Sequence, residues 1–164
     1  MSKKGSRGRV LPNISDKSAP STTKGRDCGT CVACCIYFKI ADLGKPSLTP
    51  CSKLAAGCSD CGTAPADNNC SIYEDRPEVC KGYSCMWLYG YGEDEDRPDK
   101  SGMILDNATP VANVLRGLPM QEGADSTERG NLAINRISRD RNQPVMVCGW
   151  PETRIIRVVG RGAE

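Results

Sequence analysis

Beyond residue 102 the chain reads as short apolar pieces set in polar sequence: Met103-Ile104-Leu105, Val111 to Leu115, Val145 to Cys148 and Ile155 to Val159. Their length and β-branched content predict four strands. Between the second and third, Asp125-Ser126-Thr127-Glu128 places an acid three residues ahead of Glu, the pattern of a capping box. Leu132, Ala133 and Ile137 then supply one face of a helix, which Gly130 weakens. Gly149-Trp150-Pro151-Glu152 predicts a hairpin turn between the last two strands. These elements make a small α+β layer.

Upstream the pattern dissolves. Residues 27–91 have no long amphipathic period and predict short helical turns at best. Residues 92–102 carry Glu93-Asp94-Glu95-Asp96 and then Arg97-Pro98-Asp99, where charge and proline predict a solvated connection. Consecutive acids point in different directions, so no carboxylate metal site is expected there. Residues 1–26 hold Lys3, Lys4, Arg7, Arg9, Lys17, Lys24 and Arg26 against Asp16 alone, among Ser, Gly, Thr and Pro. This predicts a disordered basic tail. The expected organisation is a tail (1–26), a cysteine unit (27–91), an acidic and proline-rich loop (92–102) and an α+β part of the same domain (103–164).

Composition explains why the middle lacks a pattern. In 164 residues only 5% are aromatic and 38% hydrophobic, with 17 glycines and 11 prolines, so the apolar core is modest. Cysteine is the candidate substitute: of 11, ten lie between Cys28 and Cys85 and only Cys148 lies outside. The best apolar run near the N-terminus is Val10-Leu11-Pro12, too short for a secretory signal, and no stretch could span a bilayer. A cytoplasmic protein with no membrane partner is expected. In a reducing compartment, clustered cysteines point to metal rather than disulfides, and an odd count pairs poorly.

The chain contains no histidine. That removes mixed cysteine-histidine zinc sites, imidazole base catalysis and histidine-activated nucleophiles together. Any metal is then held mainly by thiolate, which selects zinc, copper(I) or iron-sulfur clusters over magnesium and calcium.

The first cysteine block is Cys28-Gly-Thr-Cys31-Val-Ala-Cys34-Cys35, with two C-x2-C intervals of the kind that close around one ion. On a helix Cys28, Cys31 and Cys35 would lie within about 60° of one another, with Cys34 roughly 60° further round. Adjacent Cys34 and Cys35 chelate one tetrahedral centre only with strain, so they are expected to face two metals or two atoms of one cluster. Burial as small hydrophobes does not account for this number and spacing. The second block holds Cys51-Ser-Lys-Leu54, Cys58-x2-Cys61, Cys70-Ser-Ile-Tyr-Glu-Asp-Arg-Pro-Glu-Val-Cys80 and Cys85-Met-Trp-Leu.

Together these motifs resemble the YkgJ-type CxxCxxCC cysteine-cluster family of zinc- or iron-chelating proteins. The likeness runs over about residues 27–106, including Arg97-Pro98-Asp99-Lys100-Ser101-Gly102 and Ile104-Leu105-Asp106. The resemblance implies a small bacterial or phage-type metal-chelating protein, and its eight-cysteine pattern falls on Cys28, Cys31, Cys34, Cys35, Cys51, Cys70, Cys80 and Cys85. Cys58 and Cys61 depart from it, as an extra knuckle or as a replacement for one of the eight.

Three functions remain on this reading. The first is a metal-binding module holding zinc, or iron, through thiolates alone, in a structural or chelating role; closed all-cysteine sites lean it to Zn2+. The second is an iron-sulfur protein for electron transfer or support of a partner enzyme. The third is a nucleic-acid or protein interaction module using metal knuckles and the basic tail, whose polyanion contact would be weak because the rest of the chain is net acidic. No nucleotide or cofactor loop favours an enzyme. Four thiolates on one divalent ion carry net negative charge, so cations should surround them. Arg76 is the candidate, with Tyr73 beside it. Asp75 and Glu78 resemble a capping box, and Pro77 suits an early helical position, predicting a short helix whose positive end faces Cys80.

Overall fold

The structure, a computed structural model, describes residues 23, 25–55, 70–151 and 155–160. Cys58, Cys61 and most of the predicted basic tail lie outside the described residues.

The C-terminal half is α+β, as its apolar pattern predicts. Strands β1 (Met103–Asp106), β2 (Leu115–Pro119), β3 (Val145–Cys148) and β4 (Ile155–Val159) form one sheet in the order β1-β2-β3-β4. The β1–β2 and β3–β4 pairs are antiparallel and β2–β3 is parallel. A parallel pair needs a crossover, and the main helix, Glu128–Arg141, lies in that connection.

The second strand begins where the sequence reading ended it. Val111 is exposed and Asn113 adopts a positive φ, so residues 111–113 turn rather than extend. Pairing continues instead through Gly117, where an added Cβ would lie 3.0 Å from Val145 Cγ1. Absence of a side chain lets the two strands pack there, a requirement that apolar patterning does not display.

Alternation along the strands divides the core into two layers. Met103, Leu105, Leu115, Val145 and Val147 pack on Ala133, Ile134 and Ile137 of the main helix. The other face, with Ile104, Leu118 and Cys148, packs on Ala33 and Tyr37. Those two residues belong to the first helix, α1 (Ala33–Tyr37), which follows directly on Cys31. The sheet therefore lies between the main helix and the cysteine-bearing segment.

Local details of the main helix correct the sequence reading. Its N-cap is Thr127, whose Oγ1 accepts from the Gly130 amide at 3.0 Å, rather than Asp125, which sits buried in a preceding 3-10 turn, Ala124–Ser126. Leu132 is exposed, and Ile134 takes its expected place in the core. Gly130 is a requirement and not a weakness: a Cβ there would meet the Ala124 carbonyl oxygen at 2.0 Å.

After α1, two further short helices precede the sheet, α2 (Glu78–Lys81) and α3 (Pro98–Ser101), so the main helix is α4. The predicted acidic loop is more ordered than its charge suggests. Asp94–Asp96 forms a 3-10 turn closed by a reciprocal Glu93–Asp96 capping box. Asp96 is 2% exposed, and its carboxylate accepts from Arg136 Nη1 at 2.8 and 2.9 Å. Burial of a charge is tolerable here because the arginine neutralises it and the Glu93 amide adds a further bond.

The end of the predicted tail is anchored as well. Arg26 donates to the carbonyls of Trp87, Tyr91 and Gly92 at 2.9, 3.2 and 2.8 Å, and its guanidinium lies 5.0 Å from the Trp87 ring centre. The Thr23 amide donates to Leu88 O at 2.9 Å. Among the described residues no helix is long and apolar enough to cross a membrane.

Candidate metal centre

Residues 28–55 and 70–85 have little regular structure, and their turns place the thiols. The Cys31 amide donates to Cys28 O at 2.7 Å, closing the first C-x2-C turn, and α1 follows with Cys34 and Cys35 on adjacent positions. The Leu54 amide donates to Cys51 O at 3.0 Å, and an isolated bridge pairs Leu54 with Cys70, so Cys51 and Cys70 share one knuckle. Cys80 lies within α2. That helix is present as expected, but Pro77 is its N-cap and no side chain caps it, so the Asp75–Glu78 capping box does not form. Cys85 is buried against Cys28, Trp87 and Leu88.

These segments enclose one cavity of about 310 Å³, and Cys28, Cys31, Cys34, Cys35, Cys51, Cys70, Cys80 and Cys85 all line it. Cys148 does not. It is 7% exposed and packs against the sheet and α1, as a small apolar residue does. The thiols surround a shared space rather than a single point. Among the described residues no three Cys, Asp or Glu side chains stand together closely enough to hold an ion as they are oriented.

Burial and mutual proximity set the protonation of this set. Burial is the main cause that pushes Cys28 up to about 11, with Cys85 and Cys35 adding to it. Cys31 is pushed up to about 12, again mainly by burial. Cys34 and Cys35 act as a pair. The hydrogen bond from the Cys34 thiol lowers Cys35 to about 7, helped by Lys45 and Arg76, and keeps Cys34 protonated well above the ordinary thiol range. Burial also raises Cys80 and Cys85. Thiols in this state give up their protons to a metal and otherwise retain most of them at neutral pH.

Cations line the same cavity. Arg97 is committed to Asp99, donating from Nε at 2.7 Å and Nη2 at 2.9 Å, and also reaches Thr30 Oγ1 at 3.0 Å. Arg116 forms a two-point pair with fully buried Asp106, which also accepts from Tyr83 at 3.0 Å, tying the cavity wall to β1 and β2. Arg76 differs from both. Its Nε donates to Tyr73 O at 2.6 Å and its guanidinium lies 3.6 Å from the Tyr73 ring centre, while among the described residues no carboxylate pairs with it. Its charge favours the thiolate forms of Cys28, Cys35 and Cys80.

The sequence reading missed Lys45, Tyr83, Asp106 and Arg116. Arg97 and Asp106 stood inside a matching motif, but apart from neighbouring Asp99 nothing in the linear pattern assigns them partners, because Thr30, Tyr83 and Arg116 lie 10 to 67 positions away. The architecture is that of a small α+β protein with a cysteine-lined cavity on one side of a mixed sheet. No family model matches the chain, and neither the curated proteins nor the solved structures contain a match.

Proposed function

We propose that this chain is a metal-binding protein whose cysteine cluster holds zinc, or iron, in a structural or metal-chelating role. One observation carries the reading: the eight cysteines on which the resemblance's pattern falls all line one cavity, and Cys148, outside that pattern, does not. The donor set fits the metal chemistry, since soft thiols without imidazole suit zinc or an iron-sulfur cluster. Bound metal would link loops that share few elements of regular structure, and binding free energy would count as folding free energy. Reduced thiols in this number fit a cytoplasmic setting.

An iron-sulfur cluster is the second reading, favoured by the number of thiols. The cavity of about 310 Å³ is lined by eight thiols, twice the four that one cluster needs. Metal analysis and an absorption spectrum of anaerobically purified protein separate the two. At least one ion per chain is expected. Colourless protein containing zinc supports the first reading, and a brown preparation with broad visible absorption replaces it with the second. Metal-free, disulfide-linked protein from a reducing cytosol would overturn both.

A further inference from the structure

Lysine is rarely buried deeply without a partner, yet Lys45 is only 5% exposed. Its ammonium donates to Ile36 O at 2.9 Å, Phe38 O at 2.5 Å and Pro46 O at 3.0 Å, which uses all three of its protons. Two of those carbonyls lie at the end of α1, immediately after Cys34 and Cys35. Carbonyl oxygens satisfy the donors but carry only partial charge, and a full positive charge out of water calls for an anion. Among the described residues no carboxylate forms an ion pair with Lys45. Burial is the main cause that lowers its pKa, and Cys51, Cys35, Cys34 and Cys80, in that order, act against it and favour the charged form. All four line the cysteine cavity.

We propose that Lys45 is the buried counter-charge of the thiolate cluster, a positioning residue that fixes the end of α1 through three carbonyls and offsets the negative charge around Cys35, Cys51 and Cys80. This rests on the metal-binding reading and adds to it the component that closes its charge balance. Four thiolates on a divalent ion leave a net charge of about −2, which neighbouring cations must stabilise. Arg76 supplies one such charge from the partly exposed side. Lys45 supplies the other from the interior, where low dielectric makes it felt most strongly. A simpler role, in which Lys45 only satisfies carbonyls at a helix end, predicts dependence on its N–H donors and not on its charge.

The test uses the full chain, purified anaerobically with reductant and loaded with Zn2+ alone. Release to a chromogenic chelator is followed for wild type, Lys45→Gln and Lys45→Arg, with melting of the metal-free and loaded forms measured alongside. Gln keeps amide donors for the carbonyls but drops the charge, whereas Arg keeps the charge. Roughly 10-fold faster release is expected from Lys45→Gln, the scale of losses around metal ligands, with Lys45→Arg close to wild type. Wild-type release from Lys45→Gln overturns the proposal, as does a Lys45→Arg variant that releases as fast as the Gln variant. If Lys45→Gln does not fold, nitrogen-15 spectra of zinc-loaded wild type decide instead: Lys45 should appear as a charged NH3+ group, and a neutral amine refutes the counter-charge. A wild-type chain that takes up neither zinc nor iron defeats the metal reading itself. Tight zinc binding indifferent to residue 45 defeats this proposal alone.

Discussion

The two sides of the sheet solve the same problem with different materials. On the α4 side, ten buried residues, including Ile134, Ile137, Leu115 and Val145, form one continuous apolar cluster, and burying each large aliphatic side chain contributes about 1.5–3 kcal/mol. On the cysteine side the chain offers short helices, isolated bridges and a cavity, with its apolar contacts divided among a six-residue cluster joining α1 to the sheet and smaller clusters around Val32 and Ile36 and around Cys85 and Trp87. One side stands on area removed from water. The other has cations and thiols arranged around a space, which is the arrangement a metal would complete. On the proposed reading, a conventional core is joined to a unit whose stability would depend on its metal.

The largest expected effect breaks the cysteine side alone. Cys34→Ser should lose its metal and the amide protection of residues 28–55 and 70–85, while hydrogen exchange in β1, β3 and α4 stays slow. Cys148→Ser, packed behind α1 and outside the lining of the thiol cavity, should keep its full metal content. Equal metal loss from both variants would show that the sheet supplies a ligand.

Ile134→Ala attacks the opposite side. Ile134 is completely buried under the sheet, so the truncation should cost about 2–5 kcal/mol in chemical denaturation. Metal per folded chain should not change. If metal content falls with it, the two sides are less independent than their separate clusters indicate.

Arg26 probes the joint between them. Its three hydrogen bonds to the carbonyls of residues 87–92 tie the last residue of the predicted tail to the chain between the cysteine unit and β1. Arg26→Ala should lower stability by about 1.5–3 kcal/mol, the scale of bonds to a charged group, whereas exposed Arg129→Ala should be nearly neutral. An unchanged melting temperature in Arg26→Ala would show that the anchor is dispensable.

The smallest effect on stability, and the sharpest on the centre, is expected at Arg76. Arg76→Glu should speed metal release to a chelator by about 10-fold, while Arg139→Glu, on the outer side of α4, should not. Retention should also weaken as pH falls, in both proteins. Burial raises the Cys28 and Cys31 thiols to about 11 and 12, so metal binding must displace protons, and acid returns them. Release that does not respond to pH between 8 and 6 would contradict thiolate ligation, taking that interval as roughly the range over which a His-free site still exchanges protons for metal.

Much of this was legible in the linear chain, because the signals were local. β1, β3 and β4 are short apolar runs, and their bounds follow the runs closely. The resemblance carried by the cysteine motifs likewise picked out eight thiols as one set, and one cavity is lined by all of them. Arg76 was legible because it stands four residues from Cys80. What tertiary structure alone decided was partnership over distance. Lys45 looks like an ordinary surface lysine until folding closes three carbonyls around it. Asp96 looks like one of a run of solvated acids until Arg136, forty residues on, reaches its carboxylate. Gly130 looks like a helix breaker until the Ala124 carbonyl occupies the place of its missing side chain. In each case the chain specifies the chemical group, but the energy of a buried charge or a close contact depends on what stands beside it, and only the fold supplies that neighbour.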